Sequence, residues 1–345
     1  MVASVRIRFV TSTPLDIRRG SGTYVGIHVL ARALTSLGHQ VEFVTPRLHL
    51  PVYTAERLLF NRFLRPAPDF DVSVGFDMDG YRIADVAALK GVIADEVRFE
   101  AGLTRLTMGM QARCERLHVQ RARRVLTTSR YSAERARALY GLPDLPVVVP
   151  ELIDLGEWRS LLQANSAASA RFTVLFVGRL YRLKRVEVLL RAAASLRSRI
   201  PDLEVRMVGS GPCAATLHAL SRDLALNRTV TWLGDVPRAT LAAEYNRAQV
   251  FCLPSVQEGF GIVLLEAMAA GKALVASRAA AIPEVAPHSV LVEPENVEAL
   301  AAGIESLHRS PEACAGQAAE GARWVEQFDA ARVAGLFLDA IGGSR

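Results

Sequence analysis

Cysteine is scarce in this chain: Cys114, Cys213, Cys252 and Cys314 lie far apart, with no CxxC pair and no histidine at metal-ligand spacing. Neither a disulfide framework nor a zinc site is indicated, and reduced thiols in a cytoplasm are the simpler reading. Cys252 sits in an apolar strand-like run, where a thiol acts as a small hydrophobe. No uninterrupted apolar span reaches the roughly eighteen residues a membrane helix needs. Polar Thr11, Ser12 and Thr13 follow the first strand-like run where a signal peptide would place its apolar core, so no signal peptide is expected. Lysine and arginine form no runs and no interleaving with aromatics, which leaves nucleic-acid binding unsupported. The expected location is cytoplasmic, with the inner face of a membrane as the alternative.

What is present is a globular composition, 50% hydrophobic and 22% charged, over 345 residues. Single cores stop growing at roughly 250 to 300 residues, so two domains and a cleft between them are expected. The net charge of +6 suits phosphorylated small molecules.

Val5 to Val10 reads as a buried strand, Arg19 to Thr23 as a glycine-rich turn, Tyr24 to Leu37 as a helix and Val41 to Thr45 as a second strand. Val92 to Ala94, Val125 to Thr128 and Val147 to Val149 read as further strands. The grammar restarts at Phe172 to Val177, with a helix from Val186 to Arg199 and a strand from Leu203 to Val208. A small-residue stretch, Gln163 to Ala170, reads as the hinge, which puts the boundary near Trp158 to Ala170 and the domains at 1–160 and 161–345. Strands alternating with helices imply parallel α/β sheets, whose ligands sit beyond the carboxyl ends of the strands.

Two segments follow strands there. Gly178 to Lys184 sets Arg179 and Lys184 just past a strand end, where fixed cations suit a diphosphate, although an isolated pair of this kind is usually solvated surface charge. Pro254 to Glu266 follows the apolar run Val250 to Leu253. Gly259 and Gly261 allow close backbone approach, and a helix beginning near Ile262 offers free N–H groups and a positive dipole end to phosphate oxygens. Glu266, about a turn into that helix, can accept two ribose hydroxyl hydrogen bonds, while Glu258 in the loop would face the neighbouring sugar.

Glu258 and Glu266 separated by seven residues, with Gly259, Phe260 and Gly261 inside, resemble the signature of the retaining family-four glycosyltransferases. Gly178 to Lys184, Gly209 to Pro212, Trp232 to Val236 and Ile282 to Val285 resemble the same family in the expected order, and Gly20 to Thr23 and Val125 to Ser129 do so more weakly. The resemblance implies a GT-B fold, two Rossmann-like parallel-sheet domains facing each other across a cleft. The first domain would take the acceptor and the second the nucleotide sugar, with the last helix able to pack back on the first. Catalytic candidates are then Arg179, Lys184, Glu258 and Asp95. Donor contacts would be Gly22, Thr23, Gly178, Gly209, Gly211, Leu233, Val236, Gly259, Phe260, Gly261, Ile262, Val263 and Glu266.

Three departures stand out: Asp95 and Glu96 where many members carry His-Asp, Ala279 and Ala280 for a usual glycine pair, and Glu151 and Leu152 for Asn-Gly. Asp95 and Glu96 either contact the donor sugar or are loop acids that pair with Arg98 and nearby arginines. Gly20 and Gly22 could begin a dinucleotide fingerprint, but Val25 stands at the third glycine and no acid ends the strand at Thr45. His28 reads as a packing or capping residue, and His39, His49 and His118 acquire no role.

The resemblance implies retention of configuration, with the leaving phosphate helping to deprotonate the acceptor. Asp69 with Asp71, and Asp77 with Asp79, have DxD spacing but lie apart from the other site features, so neither a metal nor an organic cofactor is expected. Arg47 to Arg65 reads either as a core-facing helix after a loop, the commoner case for an apolar stripe, or as a basic amphipathic face for anionic lipid. The rival functions are a sugar-nucleotide epimerase, a phosphorylase, or a nucleotide-sugar-binding protein without turnover. The acceptor, whether glycan, lipid-linked or small molecule, is not encoded in any motif.

Overall fold

The structure, a computed structural model, describes residues 4–13, 22–47 and 50–342, with the side chains of Gly22 and Thr23 outside the description. It divides into two compact units, Met1–Leu152 with Ala330–Arg345, and Ile153–Asp329.

The first unit runs β1 (Arg6–Val10), α1 (Gly22–Ser36), β2 (Gln40–Val44), α2 (Tyr53–Phe63), β3 (Val72–Phe76), β4 (Val86–Leu89), α3 (Ile93–Glu96), α4 (Gly102–Arg121), β5 (Arg124–Thr127), α5 (Arg130–Tyr140) and β6 (Val147–Val148). The second runs α6 (Leu155–Ala164), β7 (Thr173–Val177), α7 (Val186–Leu196), β8 (Glu204–Val208), α8 (Ala214–Asp223), β9 (Val230–Gly234), α9 (Arg238–Arg247), β10 (Val250–Leu253), α10 (Ile262–Ala269), β11 (Ala273–Ser277), α11 (Ile282–Val285), β12 (Val290–Val292), α12 (Val297–Arg309) and α13 (Pro311–Trp324). The chain then returns to the first unit as α14 (Ala330–Gly342).

Each unit is built on a six-stranded parallel sheet, ordered β2-β1-β3-β4-β5-β6 and β12-β11-β10-β7-β8-β9. Both orders reverse direction once, beside β1 in the first sheet and between β7 and β10 in the second. Such a switch point opens a crevice at the carboxyl ends of the strands, because consecutive loops leave in opposite directions.

Parallel strands covered on both faces must be apolar throughout, and β7, Thr-Val-Leu-Phe-Val, is buried at every position. The next helix, α7, buries Val186, Leu189, Leu190, Ala193 and Leu196, a helical stripe at spacings of three and four. In the first unit Phe9 meets Phe76 and Phe337 edge-to-face at 5.0 and 6.0 Å, which locks α14 onto this core.

Three sequence expectations are corrected. Val92 to Ala94 is not a strand: Val86–Leu89 pairs between β3 and β5, and Ile93–Glu96 is a helical turn. The units part after Leu152 instead of near residue 160, because α6 belongs to the second unit, where Trp158 is fully buried edge-to-face against Tyr245. The third concerns α2, which is no ordinary core-facing helix. It buries Thr54, Glu56, Arg57 and Asn61, while Leu59 and Phe63 remain exposed at 37% and 70%.

The cause of that inversion is Asp79, which is fully buried after β3. A buried carboxylate must be satisfied, and this one accepts from Ser12 N–H and Oγ–H at 2.7 Å, Asn61 Nδ2 at 3.0 Å and the Arg57 guanidinium at 3.2 Å. Arg57 also donates to Gln111 on α4 at 2.8 Å. The polar face of α2 is thereby drawn inward.

Candidate active site

The carboxyl edge of the second sheet gathers five strand-end loops, joined pairwise by their own backbones. Leu180 N–H donates to Ser210 O at 2.9 Å, tying the loop after β7 to that after β8, and Gly209 N–H donates to Gly234 O at 2.8 Å at the end of β9. Val256 N–H donates to Leu183 O at 2.9 Å, and Ala281 N–H to Glu258 O at 3.3 Å, continuing the row across the loops after β10 and β11.

Glycine is demanded at two of these crossings. Gly209 has φ +120°, and a Cβ there would stand 2.1 Å from Gly178 O. A Cβ on Gly211 would meet Leu180 N at 2.7 Å and O at 2.8 Å.

Across the switch point, Lys184 donates to Glu258 Oε1 at 2.5 Å, with both side chains largely withdrawn from solvent. Arg179 lies over the Tyr181 ring at 5.7 Å and forms no ion pair among the described residues. Next to Glu258, Gly261 has φ +91° and opens α10 without a side-chain cap, so the first-turn N–H groups of Ile262 and Val263 keep the electrostatics of a bare helix end. Ser255 Oγ, buried in the same loop, has no hydrogen-bond partner.

Glu266, on α10 and 8% exposed, accepts from Tyr245 Oη–H at 3.1 Å through Oε2, while its backbone carbonyl accepts from Trp158 Nε1 at 3.1 Å. Burial raises the carboxyl's pKa, opposed by Arg238 and by the Tyr245 hydrogen bond. This edge can hold an extended anion on two cations and a helix end, with carboxylates on either side for hydroxyl groups.

Gly178, Arg179, Lys184, Gly209, Gly211, Leu233, Val236, Glu258, Gly259, Phe260, Gly261, Ile262, Val263 and Glu266 thus all lie on this edge, on the strand ends, or in the first turns of α10. Gly22 begins α1 in the first unit; Gly20 and Ser21, and the side chains of Gly22 and Thr23, lie outside the described residues. Asp95 is also in the first unit and is fully buried. Its carboxylate binds Arg135 at 2.7 Å, Tyr131 Oη–H at 2.7 Å and Arg98 at 3.3 Å, the ion-paired alternative of the two sequence readings.

Tyr245, Trp158 and Arg238 had no motif to announce them. Tyr245 and Trp158 come from helices that precede or flank the strand-end loops, so only packing connects them to Glu266. Ser255 could have been noticed as a hydroxyl inside the segment Pro254 to Glu266.

No helix among the described residues is long and apolar enough to cross a membrane, and no group of three His, Cys, Asp or Glu side chains there could hold a metal ion.

The family model of glycosyl transferases group 1 matches residues 160–324. Among curated proteins, the chain is 28% identical over 217 residues to the GDP-mannose-dependent alpha-(1-6)-phosphatidylinositol monomannoside mannosyltransferase of Mycolicibacterium smegmatis, covering 58% of this chain and 57% of that one. It is 31% identical over 202 residues to the D-inositol 3-phosphate glycosyltransferase of Pseudarthrobacter chlorophenolicus, covering 55% and 48%. The chain thus spans about half the length of these relatives. Among solved structures, it superposes on WaaG, a glycosyltransferase involved in lipopolysaccharide biosynthesis, with TM-score 0.80 at 19% identity over 98% of this chain and 100% of that one. Residues 160–324 therefore form a glycosyl transferases group 1 domain, and the chain has the fold of the GT-B glycosyltransferases.

Proposed function

We propose that the chain moves a sugar from a UDP- or GDP-linked donor to an acceptor hydroxyl, with retention of configuration and without a metal ion. The observation that carries this reading is the Lys184–Glu258 pair at the switch point, beside the uncapped start of α10.

Breaking the bond from the anomeric carbon to the nucleoside diphosphate leaves negative charge on the departing phosphate. Arg179, Lys184 and the Ile262 and Val263 N–H groups are the fixed positive ends that stabilise it. Lys184 is held by Glu258 before any ligand arrives, so its ammonium is already oriented. Glu258 then takes the sugar hydroxyls and Glu266 the ribose, with Tyr245 fixing one Glu266 oxygen. Leu233 and Val236, at the end of β9, are placed for the base. The acceptor is assigned to the first unit. The GDP-mannose in the name of the mycolicibacterial relative supports the GDP option.

The test is transfer by dialysed enzyme in excess chelator, with the anomeric configuration of the product read by NMR. Full activity and a retained anomeric centre support the proposal, whereas activity restored only by magnesium or manganese, or an inverted product, overturns it. Conversion of donor with no acceptor present would identify an epimerase instead.

A further inference from the structure

Alternation along β1 sends Ile7 and Phe9 into the core and Arg8, between them, to the opposite face of the sheet, towards α2. There Arg8 lines a cavity of about 390 Å³ bounded by the end of β2 and the second half of α2. The residue is only 8% exposed, and its guanidinium donates to the Arg65 carbonyl at 2.7 Å. Among the described residues no carboxylate pairs with it, and burial draws its pKa down with no opposing charge. The carboxylate nearest in register, Glu42 on β2, lies beside Arg8 in the sheet without forming an ion pair with it, and a nearly buried cation left without close pairing favours a bound anion.

The rest of the wall has two characters. Arg47 and Arg65 add two more cations at the exposed rim, against the single carboxylate of Glu56, whose Oε2 accepts from Leu50 N–H at 2.8 Å. Leu59, Phe60, Phe63 and Leu64 supply an apolar strip, the side of α2 left outward when its polar side turned to Asp79.

We infer that this cavity binds one molecule of an anionic amphiphile, a phosphate group carried on an apolar chain. The phosphate would sit on Arg8, Arg47 and Arg65 and the chain on the Leu59–Phe63 strip. The wall itself carries three guanidinium groups and the one carboxylate of Glu56, and even with Glu42 beside Arg8 the balance stays positive, which suits a phosphate monoester of about −1.5 to −2 at neutral pH. Guanidinium forks also fit phosphate oxygens in pairs. The site lies wholly in the first unit and does not depend on the transferase reading.

Decyl phosphate, kept below its micellar concentration, is titrated calorimetrically into the wild type, Arg8→Met and Phe63→Ser, with inorganic phosphate and neutral decyl maltoside as parallel probes. Arg8→Met removes a buried charge and Phe63→Ser alters an exposed side chain, so both variants are expected to keep the wild-type circular dichroism. The expected result is one decyl phosphate per chain, bound about tenfold more weakly or worse by each variant, with no saturable binding of either parallel probe. Equal binding of decyl maltoside or of inorganic phosphate overturns the inference, as does an Arg8→Met protein that binds decyl phosphate like the wild type.

Discussion

Lys184 Nζ stands 2.5 Å from Glu258 Oε1, so one ion pair closes the second sheet's switch point between the loop after β7 and the loop after β10. The two residues are 74 positions apart in sequence. A cation held on that crevice by a carboxylate is oriented in advance and keeps its two remaining N–H donors for a ligand.

If Lys184 and Arg179 stabilise the leaving phosphate, each contact contributes about 3 to 4 kcal/mol in the transition state. Lys184→Ala and Arg179→Ala should then lower kcat/KM by on the order of a hundredfold or more. Steady-state kinetics beside melting curves check this: activity should fall while the melting temperature moves little.

Tyr245 donates to Glu266 without lying on the strand-end loops. Tyr245→Phe should leave kcat nearly unchanged and raise KM for the donor several-fold, because it loosens the ribose contact and leaves the charge-stabilising groups intact. Titration of initial rates against donor concentration reads the two parameters separately.

His118 is buried on α4, with Nδ1 at 2.7 Å from the Asp77 carbonyl, and burial lowers its pKa to about 4. A group whose folded pKa lies below its unfolded value of about 6.5 stabilises the fold above that value, and this contribution is lost as pH falls towards 4. The loss amounts to about 3 kcal/mol in full. Glu115, raised well above its ordinary value chiefly by burial, acts in the opposite sense, so the clean readout is a comparison. His118→Gln should lose less stability than the wild type between pH 7 and pH 5 in urea unfolding.

Ala280 adopts φ +49°, a left-handed conformation that disfavours any residue with a Cβ, at one of the two places where the resembled family has glycine. Ala280→Gly should stabilise the protein by about 0.5 kcal/mol, the relieved strain less the extra freedom of the unfolded chain. Gly209→Ala should go the other way by about 2 kcal/mol or more, since its Cβ would strike the Gly178 carbonyl. Urea unfolding at pH 7 compares both.

The second unit was largely legible in sequence because its strand ends and its glycines are contiguous: Pro254 to Glu266 contains a loop, a helix start and two carboxylates in one stretch. The first unit was less so, for reasons visible in particular residues. Val86-Ala-Ala-Leu carries too little β-branching to mark itself as a strand, whereas the run at Val92 mimics one. The stripe on α2 shows which residues share a side but not which side packs, and the buried Asp79 that decides it lies beyond the helix. Asp95 acquires its role from Arg135 and Tyr131, some forty residues on, a pairing that no local pattern encodes.

The most direct test of the account is thermal melting of the wild type and Glu266→Ala with UDP, GDP, ADP and dTDP. A ligand at a hundred times its dissociation constant adds about 2.7 kcal/mol of stability. The expected result is a clear shift of the wild type with UDP or GDP that is lost in Glu266→Ala. No shift with any nucleotide, or a shift that survives in Glu266→Ala unchanged, would contradict the assignment of the donor site to the carboxyl edge of the second sheet.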